Sequence, residues 1–191
     1  MSKCTFPPIL RMPILEAKPK AKAGNHVLVY QTSTSDKTLI PTLNAVTEER
    51  FIVYGLRRAA HHGNCQLKEF SEEGFVADLA SAKAVVSNGG LSLIGEAVYL
   101  GKPIFSIPVR NQYEQLLNAR YLEELGYGLA ADKIDSDMLR LFLGENERFA
   151  ARVAKHKQDG NELLFGTVDA LVRRAEKRAR KARKKLREKE A

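Results

Sequence analysis

Cysteine is scarce in this chain, and long apolar runs are missing. The two cysteines, Cys4 and Cys65, make no disulfide framework, and neither lies in a Cys-x-x-Cys pair, so disulfide-stapled and dithiol-redox classes are excluded. No apolar run reaches the ~18 residues a membrane span needs. The opening MSKCTFPPILRMPILEAKPKAKAG has no continuous apolar core followed by a small-residue cleavage site, so no signal peptide is read there. A cytoplasmic chain is the expectation. His61 and His62 have only the distant Cys65 near them at any ligand-like spacing, which argues against zinc and for a solvated loop. A Walker lysine and a Gly-x-Gly-x-x-Gly are both absent, so neither an ATP nor an NAD fingerprint is present.

What the chain does have is an ordinary apolar content, 44% of 191 residues, enough for one domain with appendages. The net charge of +8 is concentrated. From Arg173 to Ala191 there are eleven Lys or Arg against three acidic residues, so this tail carries the whole excess and the rest of the chain is neutral. The pI of about 9.5 therefore describes the tail, and it gives no reason to assign nucleic acid to the domain.

Residues 1–24 read as a linker or arm. Pro7, Pro8, Pro13 and Pro19 forbid regular helix or sheet, although Phe6, Ile9, Leu10, Ile14 and Leu15 could dock on the domain. Residues 25–172 form the domain and 173–191 the basic tail. Within the domain, HVLVY (26–30), FIVY (51–54), a short stretch at 65–67, AVV (84–86), a second buried run before the polar turn of Glu114 and Gln115, and a stretch at 128–130 read as strands. The all-apolar ones suit a sheet covered on both faces. Between them lie helical patterns, one capped by Ser35 or Asp36, one opened by Ser71 to Gly74, one stopped by Gly126, and one over 136–143 with an Asp/Ser cap at its start. Alternation at this spacing predicts an α/β fold, a Rossmann-like doubly wound parallel sheet with a basic helix at its C-terminal end. Ligands of such sheets sit at the carboxyl ends of the strands. Here those ends are 31–36, 55–64, 68–74, 87–90 and 109–115.

The richest stretch is Ala84–Ala119. A strand stops at Ser87-Asn88-Gly89-Gly90, and an apolar helix begins. Glycines there let a ligand approach backbone, and the helix start offers free N–H groups and a positive dipole end, which suits phosphate. A glycine pair between strand and helix is also a common structural turn. Glu96 is the sharper feature, because no cation lies within one helical turn of it to pair with. A buried carboxylate without donors costs several kcal/mol, and two vicinal ribose hydroxyls could supply them. A solvent-facing Glu96, or one bonded to backbone or tyrosine, is the alternative. Glu114, Gln115 and Asn118 follow the next strand, and their donors and acceptors suit sugar hydroxyls or plain solvent.

S-N-G-G-L-S-L-I-G-E, then G-K-P, then P-V-R-N-Q-Y-E-Q-L-L-N-A resembles the C-terminal, donor-binding half of GT-B glycosyltransferases. The resemblance is to the family 28 type, which includes the GlcNAc transferase of peptidoglycan synthesis, and more loosely to UDP-glucuronosyl and plant UDP-sugar transferases. It covers roughly Pro7 to Gly128. It implies that Ser87, Asn88, Gly89, Gly90, Leu91 and Ser92 hold the donor diphosphate, together with Thr32 and Ser33 of the first loop. It further implies that Glu96 binds the ribose, that Glu114, Gln115 and Asn118 contact the sugar, and that Phe70 and Phe75 receive the uracil. The chain departs from the family where Thr32-Ser33-Thr34-Ser35 replaces a glycine-bearing first loop, and where the histidine of the plant motif is absent.

The function implied is transfer of a hexosyl group, GlcNAc or a related sugar, from a UDP-sugar to an acceptor hydroxyl. No metal or cofactor is expected beyond the UDP-sugar substrate; a D-x-D motif is lacking. The acceptor domain, which in this family usually supplies the base, is expected outside these residues, as an N-terminal domain or a separate subunit. The two-subunit GlcNAc transferase of dolichol-linked oligosaccharide assembly is a precedent. The rival reading is a nucleotide-sugar epimerase-like or non-catalytic binding module. The tail offers a third partner class, an anionic membrane surface at which the chain would sit peripherally, with RNA as the less favoured ligand and a solvated charge run as the plain alternative.

Overall fold

In the computed structural model, which describes residues 5–31 and 37–190 (side chains to 183), the apolar runs alternate across a seven-stranded sheet. The strands are β1 (His26–Tyr30), β2 (Arg50–Tyr54), β3 (Ala60–His62), β4 (Cys65–Leu67), β5 (Ala84–Ser87), β6 (Ile104–Ser106) and β7 (Gly128–Ala130). Val27, Val29, Phe51, Val53, Ala84, Val86 and Phe105 point to one face. Leu28, Tyr54, Val85 and Ile104 point to the other. Both faces are covered, which is why these strands are apolar throughout rather than at every second position.

The helices are α1 (Met12–Ala17), α2 (Leu39–Asn44), α3 (Glu72–Ser81), α4 (Leu91–Tyr99), α5 (Tyr113–Glu124), α6 (Ser136–Gly144), α7 (Asn146–Val153) and α8 (Glu162–Glu190). α2 and α6 cover the first face, where Leu39, Leu43, Leu139 and Phe142 are buried. α1, α3, α4 and α5 cover the second through Ile14, Phe75, Leu79, Ala97 and Leu122. α7 serves both, with Phe149 in one cluster and Val153 in the other. Phe142 stacks on Phe105 and Phe149 at centroid distances of 5.6 and 5.7 Å. Two caps agree with their sequence signals: the Ser71 hydroxyl accepts from the Gly74 N–H, and Asp135 accepts from Asp137 and Met138.

Strand order is β3-β4-β2-β1-β5-β6-β7, and all pairings are parallel except β3 with β4. The chain winds outward from β1 through β2 to β4, then returns to β5 and winds the other way. The switch point therefore falls between β1 and β5, where Tyr30 pairs with Ser87. This is the Rossmann-like, doubly wound α/β fold, and its crevice opens at the ends of those two strands.

Two local readings are corrected. The prolines of the arm do not exclude helix, because Pro13 stands in the first turn of α1, where a missing N–H costs nothing. Leu10 and Ile14 are buried beneath it, so the arm is docked. The stretch 55–64 is not all loop either: Ala60–His62 adds an antiparallel edge strand with His61 and His62 exposed. The Ser35 or Asp36 cap lies outside the described residues. The chain divides into two units, Pro8–Lys157, which holds the sheet, and Met1–Pro7 with Gln158–Ala191, which holds α8.

Candidate functional site

Ser87 ends β5 beside Tyr30 of β1 and Ser106 of β6. Its hydroxyl accepts from the Gly89 N–H at 3.3 Å, which folds the chain back on itself. Gly89 has φ +83°, and a Cβ there would stand 2.7 Å from Ser106 Oγ and 3.1 Å from the Gln115 carbonyl. Only glycine fits a backbone this crowded in that conformation. Gly90 differs. Its φ is −65°, it is the N-cap of α4 with no side chain capping it, and a Cβ there would meet nothing within 4 Å. The first-turn amides of Leu91, Ser92 and Leu93 thus have no intrahelical acceptor and face an open approach. Leu91 and Ser92 are exposed.

Gln115 and Asn118 belong to this turn, but as fasteners. Gln115 Oε1 accepts from the Val109 N–H at 2.9 Å, and Asn118 Nδ2 donates to the Gly89 carbonyl at 3.0 Å. Asn88 is buried and donates to the Ile107 carbonyl. These bonds clamp the start of α5 against the glycine turn. The Gln115 amide nitrogen, the Asn118 amide oxygen and the exposed Glu114 side chain are groups left for a ligand. A concavity beside them is lined by Val109, Arg110, Gln112, Tyr113, Leu116 and Asp132.

Glu96 is buried, its side chain 5% exposed. The expectation that it lacks a protein partner is overturned. Arg11, at the start of α1, donates Nε to Oε1 at 2.6 Å and Nη2 to Oε2 at 2.9 Å, and its Nη1 reaches Glu72 of α3 at 2.7 Å. The partner lies 85 positions away, beyond any intrahelical search. Since an ionised carboxylate has about four acceptor sites, the bidentate guanidinium fixes its plane and leaves capacity for two more donors.

Phe70 and Phe75 are brought together but differ in access. Phe75 is 4% exposed and packs edge-on to Tyr30 and Tyr54, whereas Phe70 is 59% exposed and leans on it at 5.6 Å. Only Phe70 offers a free aromatic face. Thr32 and Ser33 lie outside the described residues. Two groups at the strand ends had no signal of their own in the sequence: Ser106 Oγ and Gln31 Oε1 are buried and, among the described residues, unpaired. Ser106 stands against Gly89, and Gln31 follows β1, so both orphaned groups border the switch point. A second concavity, lined by His26, Arg50 and Asn64, lies at the opposite end of the strands from this turn.

The sheet order and the uncapped glycine turn define a Rossmann-like nucleotide-binding type of domain. A family model described as "Glycosyl transferase family 1" matches residues 2–146, and the chain belongs to that family. Over 68 residues it is 40% identical to the UDP-N-acetylglucosamine--N-acetylmuramyl-(pentapeptide) pyrophosphoryl-undecaprenol N-acetylglucosamine transferase of Legionella pneumophila (strain Corby); the match covers 34% of this chain and 18% of that protein. Among solved structures it is similar to the glycotransferase of kitacinnamycin, with a TM-score of 0.55 at 20% identity over 69% of this chain and 38% of that one. The spinosyn rhamnosyltransferase SpnG gives a TM-score of 0.55 at 16% identity, covering 81% of this chain and 48% of that one. These likenesses establish the fold. The chain spans less than half the length of each of these proteins.

Proposed function

We propose that the sheet domain binds a UDP-sugar and forms the donor half of an inverting hexosyltransferase, with GlcNAc or a related hexose as the transferred group. The observation that carries this is the uncapped start of α4 at the switch point, approached over the open side of Gly90. The amides of Leu91, Ser92 and Leu93 would bind the diphosphate and stabilise the charge it gains as the glycosidic bond breaks. Glu96, one to two turns along the same helix, would accept from the ribose hydroxyls while Arg11 holds its plane. Glu114 and Gln115 would face the sugar and Phe70 the uracil. The donor named in the Legionella relative is UDP-N-acetylglucosamine, which supports trying that nucleotide sugar first.

The acceptor and the base that deprotonates its hydroxyl belong, in this reading, to a domain or subunit other than these residues. The sugar nucleotide is a substrate, and no cofactor or metal is invoked. Calorimetric titration with UDP-GlcNAc, UDP-glucose, UDP-galactose, TDP-sugars and GDP-sugars tests the proposal. At least one UDP-sugar should bind, and Glu96→Ala should weaken it about tenfold or more, the loss of a charged hydrogen-bond acceptor. If no nucleotide binds, the reading fails. Sugar transfer by the purified chain alone would overturn the assignment of the base to another domain.

A further inference from the structure

α8 belongs to the unit formed by Met1–Pro7 and Gln158–Ala191. From Val168 to Arg183 every residue of this helix is exposed, including Val168, Leu171 and Val172 at 45%, 57% and 50%. Apolar side chains that no partner covers are unusual when they recur in register. Here they do: Leu164, Val168 and Leu171 are followed at the same spacing by Ala175, Ala179 and Ala182, a repeat of eleven residues. An eleven-residue repeat stays close to the natural pitch of an α-helix, so the stripe runs nearly straight along one side. The remaining surface is strongly basic. Arg173, Arg174, Lys177, Arg178, Arg180 and Lys181 are exposed around it, with Asp169 and Glu176 the acidic residues among them.

We infer that α8 lies along the surface of an anionic phospholipid bilayer, with the stripe in the acyl boundary and the cations among the headgroups. Three observations select this occupant. No helix among the described residues is long and apolar enough to cross a membrane, so a bilayer contact must lie in the interface plane. A second copy of α8 would bring two strongly cationic helices side by side, and an alanine seam with like charges on both flanks is a poor basis for pairing. RNA would use the charge but has no use for a continuous apolar stripe, whereas an interfacial helix needs both halves. The inference is independent of what the glycine turn binds.

The test is co-sedimentation of the full chain with vesicles of phosphatidylcholine alone and of phosphatidylcholine with about one part in three phosphatidylglycerol, at about 50 and about 500 mM salt. Binding should be at least about tenfold tighter to the anionic vesicles and should weaken at high salt. Val168→Ser with Leu171→Ser and Val172→Ser keeps every charge and should reduce vesicle binding about tenfold. Ala175→Leu with Ala179→Leu enlarges the stripe at little cost in helix propensity and should tighten it. The inference is overturned if the chain ignores anionic vesicles at low salt or binds neutral ones equally. It is also overturned if the serine and leucine variants both bind like the parent, or if single-stranded RNA binds more tightly than vesicles and does not respond to either variant.

Discussion

Arg11 and Glu96 form a two-point ion pair across 85 positions, 2.6 Å from Nε to Oε1 and 2.9 Å from Nη2 to Oε2. The pair joins the start of the docked arm to the middle of the helix that follows the glycine turn. Its two partners differ in access: the arginine side chain is 40% exposed and the glutamate 5%.

That asymmetry sets the first prediction. Arg11→Ala leaves a buried carboxylate without its charged donor and should destabilise the fold by about 2–3 kcal/mol. Glu96→Leu removes the buried charge, and Arg11 keeps Glu72 and reaches water, so the cost should be about 1 kcal/mol or less. The double variant should be more stable than Arg11→Ala alone. Urea unfolding midpoints at constant m-value measure all three. Equal losses for the two single variants would contradict the account.

Where the sequence was informative, the reason was local. β1 and β5 declare themselves as short apolar runs closed by polar turns, and the Ser71 and Asp135 caps follow from one residue and its next three. The glycine turn was legible for the same reason: strand, two glycines and helix are contiguous. What could not be read was every relation across the chain. Arg11 finds Glu96 only because α1 packs beside α3, and Pro8, just before it, lies where a Cβ on Gly95 of α4 would come within 2.9 Å. Gln115 and Asn118 looked like ligand groups because their side chains suit hydroxyls. They suit backbone amides and carbonyls equally, and the fold spends much of that capacity on Val109 and Gly89. Phe75 and Phe70 carry the same ring, and only the packing of α3 separates the buried one from the exposed one.

Lys102 supplies a pH test. It is buried at 2% exposure with its ammonium donating to the Lys22 carbonyl at 2.9 Å, and burial, with Lys18 nearby, lowers its pKa from 10.5 to about 8. The unfolded chain binds this proton more tightly than the folded one. The stability cost is therefore fully present below pH 8, shrinks as pH rises from about 8 to 10.5, and is gone above that. Lys102→Met should stabilise at pH 7 by roughly 1–2 kcal/mol, and its advantage should shrink towards pH 10.5. Comparing variant with parent at each pH cancels the other groups that titrate there. A difference that is flat or grows with pH would refute the assignment.

Cys65 should be chemically silent in the folded chain. It is 1% exposed on the inner sheet, and burial pushes its thiol up to about 11. At neutral pH both access and thiolate are lacking. In a Cys4→Ser background, labelling by an aromatic disulfide reagent should be at least about a hundredfold slower in buffer than in denaturing urea. Rapid labelling of the native chain would show that β4 opens far more readily than its place between β2 and β3 allows.

Gly89 and Gly90 are adjacent and should fail in opposite ways. At Gly89 an added methyl meets Ser106 Oγ at 2.7 Å and demands a side chain at φ +83°. Gly89→Ala should therefore cost about 1–3 kcal/mol of stability, and any effect on ligands would be secondary to that loss. At Gly90 the backbone is ordinary and the space is empty. Gly90→Ala trades a small loss as a helix cap against a lower unfolded-state entropy, so its stability should stay within about 0.5 kcal/mol of the parent. Its methyl, however, would stand in the open space at the uncapped start of α4. UDP-sugar binding should fall about tenfold or more while the unfolding midpoint holds, because bulk there displaces a phosphate from its closest approach. Calorimetry and urea unfolding on the same two variants separate these outcomes. If Gly90→Ala binds UDP-sugars as the parent does, the diphosphate does not sit on this turn.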